Sequence, residues 1–455
     1  MLENRFSLQE IADECVKQIK TRRVDGYEIY LTQSVSTSVE VRDEELESFK
    51  RAQSMGVGLR IIRDARLGFS YCSNFDVPEI SRMIEAAMDG AANLPSDPSY
   101  GFTGPPGDLR FPPDIPDIYD ERIKHIAPQQ RIEKAMAMEA TALAFDPKRV
   151  KRVGKVTYED AERAVFLVNS EGVEVDFTSS IFTGGVMAVA QEGSESEMGW
   201  DFDFHHCFEG LDVVQIGREA ARKAGGKLGG RPLKSAFYPV VIRNEVACQF
   251  LSVLAPSFSV ENVRKGKSLF SDGLGSRVFS PKVNIYDDGL HPQGMATFPF
   301  DGEGVDSQKT SVVISGRITG FLYDFYWAKR EKGRSTGNST REGIKVPPSL
   351  GISNLYIEGG NRPFGDLLGD LHNGIVIEEV LGIHTANPIS GDFSLGAAGF
   401  WVERGRAVHP VKGIAISGNV LDLFKNIEDV GADFRFTGKL GSPSLRASNL
   451  AISGH

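Results

Sequence analysis

The chain has 455 residues, with 51 Lys+Arg against 61 Asp+Glu and a net charge of -10. Its length allows two or three domains with their own cores, and 41% apolar with 25% charged residues is an ordinary soluble globular composition. Residues 231–455 hold 24 Lys+Arg against 22 Asp+Glu, so the acidic excess lies in 1–230, and a pI near 5.5 excludes a phosphate-neutralising surface as the default reading.

The first segment, up to Ile19, places Phe6, Leu8, Ile11, Ala12, Cys15, Val16 and Ile19 on a helical stripe. It has neither a basic leader nor an apolar core of the secretory kind. Strands are expected at Glu28–Leu31, Ser36–Arg42, Leu46–Arg51, Val57–Arg63 and Arg66–Tyr71, followed by a covering helix over Val77–Leu94. Pro95–Pro116 is dense in proline and glycine and reads as a linker. Ala127–Phe145 reads as a helix and Val153–Phe208 as a second set of hairpins. An amphipathic helix over Leu211–Leu228 then stops at Gly229-Gly230.

From Arg231 onward, short strands separated by glycine dominate, with helices expected at Asn244–Leu254 and Val420–Ile427 and two-layer packing as the expected architecture. The fold class is therefore α+β: antiparallel sheets with covering helices, then a mostly antiparallel β half. The division is 1–116, 117–230 and 231–455. Four isolated cysteines, 15, 72, 207 and 248, suit a reducing cytoplasm, and no apolar run reaches the ~18 residues of a membrane span.

Three segments offer chemistry. Strand alternation in Trp200–Phe208 puts Asp201, Asp203, His205 and Cys207 on one face, but same-face neighbours about 7 Å apart do not all reach one ion. An amphipathic strand is the favoured reading. Asp301 and Glu303 flank Gly302, as an acid/base pair or as a polar turn. Residues 329–345 are basic, either a solvated loop or an anion site. Neither HExxH nor HExxxH occurs, and GxSxG and Walker A are also missing, so by motif alone the sequence names no reaction.

Read as a whole, residues 300–342, FDGEGVDSQKTSVVISGRITGFLYDFYWAKREKGRSTGNSTRE, resemble the TldD/PmbA family. The carrying elements are Asp301–Gly304, Ile318–Leu322, and Ser335–Asn338 with Arg341. Further matches are Ser353-Asn354, the run HTANPISGDFSLGAAGFWVERG at 384–405, and PVKGIAISGN at 410–419. In that family, TldD-type subunits carry HExxxH on one helix and a later cysteine, which together hold a metal for peptide hydrolysis. The corresponding stretch here puts Asn244 and Gln249 at the histidine positions and keeps Glu245, and Phe436–Ser444 contains no cysteine. Amides are poor zinc ligands beside imidazole or thiolate.

The resemblance thus implies the PmbA/TldE type: a cytoplasmic subunit with no catalytic residues and no metal or other cofactor of its own. It would pair with a TldD-like partner that carries a zinc-type metal, or with itself when alone, and act on unfolded or extended peptides. No membrane or direct nucleic-acid partner is expected. Asp301, Glu303, Thr336, Asn338, Arg341, His384 and Asn387 are the candidate peptide or partner surface. The alternatives are an autonomous hydrolase with an unrecognised metal site, using Asp301, Glu303 or His384, and a modulator of DNA gyrase acting through protein contacts.

Overall fold

The computed structural model describes residues 7–104, 117–270 and 273–454, so the part of the expected linker at 105–116 lies outside the described residues. The first half is built on one antiparallel sheet. Its strands are β1 (Gly26–Arg42), β2 (Glu45–Arg63), β3 (Arg66–Cys72), β4 (Val150–Asn169), β5 (Glu174–Glu192) and β6 (Glu195–His205), in the order β3-β2-β1-β4-β5-β6. The β1–β4 pairing joins strands from both sides of the proline-rich segment.

Several strands expected as two short pieces run unbroken. The polar run Thr32–Val35 reads as a break, yet Ser34 pairs with Ser54 on one side and Arg163 on the other. Ladder hydrogen bonds on both edges hold a strand whose side-chain pattern alone does not declare it.

Helices α1 (Leu8–Ile19), α2 (Val77–Ala92), α3 (Pro128–Phe145) and α4 (Val213–Gly225) cover one face of this sheet. Strand periodicity shows why it is one face: Ile29 and Leu31 pack with α1 and α2, and Val39 and Val41 with α3 and α4, all at odd positions of β1. Ser7 starts α1 with a reciprocal capping box to Glu10. The opposite face, carrying Tyr30, Leu167 and Val175, packs on Phe300 and Ile344 of the second half. The even position Glu28 faces the same way, which places a charge at the junction of the halves.

The second half opens with β7 (Ala236–Ile242) and α5 (Asn244–Leu254). Strands Asn373–Leu381, Asp392–Glu403, Arg406–Asn419 and Leu445–Ser453 join β7 in a ring, closed by pairing of 415–417 with 451–453. Where two-layer packing was expected, the sheet curls into a five-stranded barrel with one further strand, Ile427–Val430, at its side. Register shifts at Ile377/Glu379, Ala397/Gly399 and Trp401/Val402 supply the bends that closure requires. α5 packs on this ring through Phe250, whose ring meets Phe393 edge-on at 5.0 Å. A second six-stranded sheet stands beside the barrel and includes Ile285–Asp288, Leu355–Ile357, Arg435–Thr437 and Leu440–Ser442. Among the described residues, strand pairing here is antiparallel except between β7 and 375–377 and between 355–356 and 440–441, with isolated parallel bridges such as Arg231 to Val411 outside the strands.

Candidate functional site

The helix singled out by the sequence forms within the expected limits, and its first turn meets three other elements. Glu245 is half-buried between α4 and the strand Arg435–Thr437. Lys223 of α4 donates to both Glu245 oxygens at 2.7 and 2.6 Å and to Asp201 Oδ1 of β6 at 2.8 Å. Arg435 donates to Glu245 at 2.9 Å, to both Asp201 oxygens at 3.2 and 3.1 Å, and to the Phe202 carbonyl at 2.7 Å. Two carboxylates and two cations are thus joined by hydrogen bonds, and a third carboxylate, Asp203, stands 3.8 Å from Arg435. Asp201, at 1% exposure, is the most buried member, and its partners compensate a charge held out of water.

α4 can deliver Lys223 because it lies hard against β6 at Gly199. A Cβ there would stand 2.2 Å from the Ala224 nitrogen and 2.3 Å from the Ala220 carbonyl oxygen. The glycine is required by close approach, and the helix position fixes the ammonium.

The other positions of the stretch are also engaged. Asn244 donates its amide to the Asp433 carbonyl at 3.0 Å, and its side-chain oxygen accepts from the Glu245 N–H at 2.8 Å. Cys248 is buried, its thiol directed at the Leu440 carbonyl at 3.4 Å, and burial pushes it up to about 12. Gln249 lines a cavity of about 160 Å³ that it shares with Trp200, Glu245, Val380, Phe400 and Thr437. Trp200 is half exposed and stacks flat on Phe202, giving the cavity an aromatic rim.

These residues do not fit a metal. Both oxygens of Glu245 face cations, Asn244 bonds the backbone, and Cys248 is held as a thiol although only a thiolate ligates well. Among the described residues, no group of three or more His, Cys, Asp and Glu side chains is arranged to hold an ion. In the Trp200–Phe208 segment, Asp201 belongs to the ion-pair cluster, His205 is exposed, and His206 is buried between the Ser180 and Gly294 carbonyls at 2.8 and 3.0 Å.

Glu303 is buried and Asp301 half-buried. Asp301 organises its turn by accepting from the N–H groups of Glu303, Val305 and Ser339 at 2.8 to 3.0 Å, while burial and the neighbouring Glu303 charge push its carboxyl upward. Glu303 pairs with Arg60 of β2 at 2.7 Å, and Arg60 also forks onto Glu28 of β1 at 2.9 and 2.5 Å. Arg341 completes the network by bonding Glu28 and, at 2.6 Å, the Gly302 carbonyl. These residues tie the sheet of the first half to the second half.

Thr336 bonds Asn338 at 2.6 Å, and Asn338, 1% exposed, donates to Asp287 at 2.7 Å. His384 and Asn387 lie apart on an exposed loop, where Asn387 caps the Ile389 and Ser390 N–H groups. The basic stretch is not one solvated loop. Lys329 donates to the Tyr100 carbonyl at 2.6 Å, Arg330 pairs with Asp97 at 3.2 Å, and Arg341 is buried.

Lys223 and Arg435 escaped the sequence reading. They sit 22 residues before and 190 after Glu245, a spacing that no local pattern encodes. Asp201 was visible only as one carboxylate of an alternating strand.

The motif helix of this α+β fold thus holds a carboxylate between two basic side chains. Residues 27–91, 121–228 and 235–454 match, in order, the models of PmbA/TldA metallopeptidase domain 1, central domain and C-terminal domain. The chain belongs to the TldD/PmbA family. The metalloprotease PmbA of Escherichia coli O157:H7 is 27% identical over 453 residues, covering 98% of this chain and 97% of that protein. The crystal structure of a proposed DNA gyrase modulator from Thermotoga maritima MSB8 superposes with a TM-score of 0.89 at 28% identity, covering 98% and 100% of the two chains. TldE from Thermococcus kodakarensis shows the same fold, with a TM-score of 0.89 at 24% identity over 98% of this chain and 100% of that one.

Proposed function

We propose that this chain is a non-catalytic, PmbA/TldE-like subunit of a cytoplasmic heterodimeric metallopeptidase that processes or degrades unfolded peptides, with the metal carried by a TldD-like partner. The observation that carries this reading is the pairing of Glu245 with Lys223 and Arg435. At the position where a catalytic glutamate would face a metal-bound water, the carboxylate faces two fixed cations. Both of its oxygens accept from those side chains, so neither is left free to orient a water. Support also comes from Phe436–Ser444, the stretch in which the resemblance places the third ligand. Its strand Leu440–Ser442 meets α5 at Cys248, and the adjoining Arg435 brings a cation to Glu245.

The test is reconstitution. The purified chain, a TldD-type relative from the same genome, and the mixture are assayed for bound metal and for cleavage of casein and unstructured peptides. Activity and metal are expected only where the TldD-type chain is present, with the mixture more active than that chain alone. Stoichiometric metal and peptidase activity in this chain alone overturn the proposal.

A further inference from the structure

A second cavity, of about 200 Å³, lies where the helix-free face of the first sheet meets the second half. Tyr30, Arg163 and Phe177 reach it from the sheet, and Phe298, Ser339, Arg341 and Lys439 from the other side. Its polar wall is unusual. Arg341 is 2% exposed in its side chain, and two of its nitrogens are engaged by Glu28 and the Gly302 carbonyl. The third, Nη1, is buried with no hydrogen-bond partner among the described residues. Ser339 Oγ, on the same wall, is in the same condition. Orphaned buried donors are costly and call for a ligand that satisfies them.

The charges around these two atoms favour an anion. Arg163 donates to the neutral hydroxyls of Tyr30 at 2.6 Å and Thr32 at 3.4 Å. Tyr30 in turn stacks under the Arg341 guanidinium at 4.2 Å, so one aromatic ring orients both arginines. Lys439 retains accessible surface, yet enclosure by the cavity lowers its ammonium below the usual value. Of the nearby carboxylates, Glu28 occupies Arg341 Nη2, Asp301 turns onto three backbone N–H groups, and Asp287, whose charge with that of Glu342 reaches Lys439, turns onto Asn338 and the Ser353 N–H. The remaining wall is apolar, with Phe177 packed 5.0 Å from Phe298 and 5.2 Å from Phe300.

We propose that this cavity is a carboxylate site that receives the C-terminal residue of a peptide, its carboxylate on Arg341 Nη1 and Ser339 Oγ under the charges of Arg163 and Lys439, its apolar side chain against Phe177 and Phe298. A planar carboxylate matches a guanidinium edge plus a hydroxyl. The volume, below the ~300–1,000 Å³ of sites for drug-sized ligands, suits one residue and not a folded partner. The carboxylate chemistry stands on the cavity alone, and its assignment to a peptide terminus rests on the peptidase-subunit reading above.

Calorimetric titration of the full chain with acetyl-Ala-Ala-Phe and with its C-terminal amide tests the site, with acetate and inorganic phosphate as small-anion arms. The free acid is expected to bind at least about tenfold tighter than the amide, and Lys439→Ala and Arg163→Ala each to weaken it about tenfold. Both substitutions leave the Glu28–Arg60–Glu303–Arg341 network intact, so the variants report on the cavity. Equal binding of acid and amide, or wild-type affinity in both variants, overturns the site. Acetate or phosphate binding as tightly as the peptide acid overturns the peptide assignment. Reconstituted peptidase activity without any preference for the free acid rejects the site while leaving the subunit role in place; the reverse pattern rejects the subunit role.

Discussion

Lys223 Nζ stands 2.7 and 2.6 Å from the two carboxylate oxygens of Glu245, the residue that the motif helix retains. Arg435 meets the same carboxylate from another direction at 2.9 Å. The two cations answer the charge of Glu245 and Asp201 and set the terms for what restoring the missing ligands would achieve.

Replacing Asn244 and Gln249 by histidine rebuilds the H-E-x-x-x-H pattern without removing those cations. The N244H/Q249H variant is expected to retain substoichiometric zinc after dialysis, measured by elemental analysis. Adding Lys223→Met to it removes one positive charge beside the site and is expected to raise zinc affinity roughly tenfold, the equivalent of about 1.4 kcal/mol. A full equivalent of zinc in the double variant with Lys223 intact would show that the cluster does not oppose a metal.

Lys223→Ala leaves Asp201, 1% exposed, with Arg435 as its remaining partner. Uncompensating a buried charge costs about 3–5 kcal/mol, and the surviving Arg435 brings the expected loss to roughly 2–3 kcal/mol. The unfolding midpoint in urea measures it, and K223R is expected to recover most of the loss. Gly199→Ala, which forces α4 off β6, is expected to be at least as damaging, because the clash is with backbone atoms.

At the junction of the halves, Glu28 is fully buried. Burial acts to raise its carboxyl, but the Arg60 and Arg341 charges outweigh it and hold Glu28 below its ordinary value of 4.5. A carboxyl depressed in the folded state contributes stability that is present above its unfolded value and lost as pH falls through the folded one. Wild-type stability is therefore expected to decline below pH 4.5, and Arg60→Ala to lose about 3–5 kcal/mol at pH 7 and to narrow its gap to wild type at low pH. Urea titrations between pH 7 and pH 3 check this, and an R60A deficit that is independent of pH would refute the assignment.

Legibility followed locality. The helices were readable from their period, since Ile80, Met83, Ile84, Ala87 and Ala91 bury one stripe of α2. Long strands were cut at polar or glycine-rich stretches because pairing partners more than a hundred residues away, as in Ser34 with Arg163, leave no local mark. Barrel closure escaped for the same reason. At the candidate site, the altered ligand positions Asn244 and Gln249 were visible by resemblance. The counter-charges were not, because they arrive on α4 and on the strand at 435. Asp301 and Glu303 were identified as a pair, but only burial shows that one holds a turn and the other an arginine across the junction.

Cys248 gives the most direct check on the chemistry of α5. Its thiol, pushed up to about 12 by burial, leaves on the order of one molecule in 10⁴ ionised at pH 8, and the thiolate is both the nucleophile and the metal ligand. Cys15, Cys72 and Cys207 are also free, so each is first replaced by serine to leave Cys248 as the sole thiol. In that variant, an aromatic disulfide reagent at pH 8 is expected to react slowly in the native state and stoichiometrically in urea. Zinc is expected to change neither rate, because Sγ is turned to the Leu440 carbonyl and a neutral thiol competes poorly for the ion. Rapid native labelling that zinc suppresses would place a thiolate on α5 and make Cys248 a ligand in waiting, which the geometry of this helix does not support.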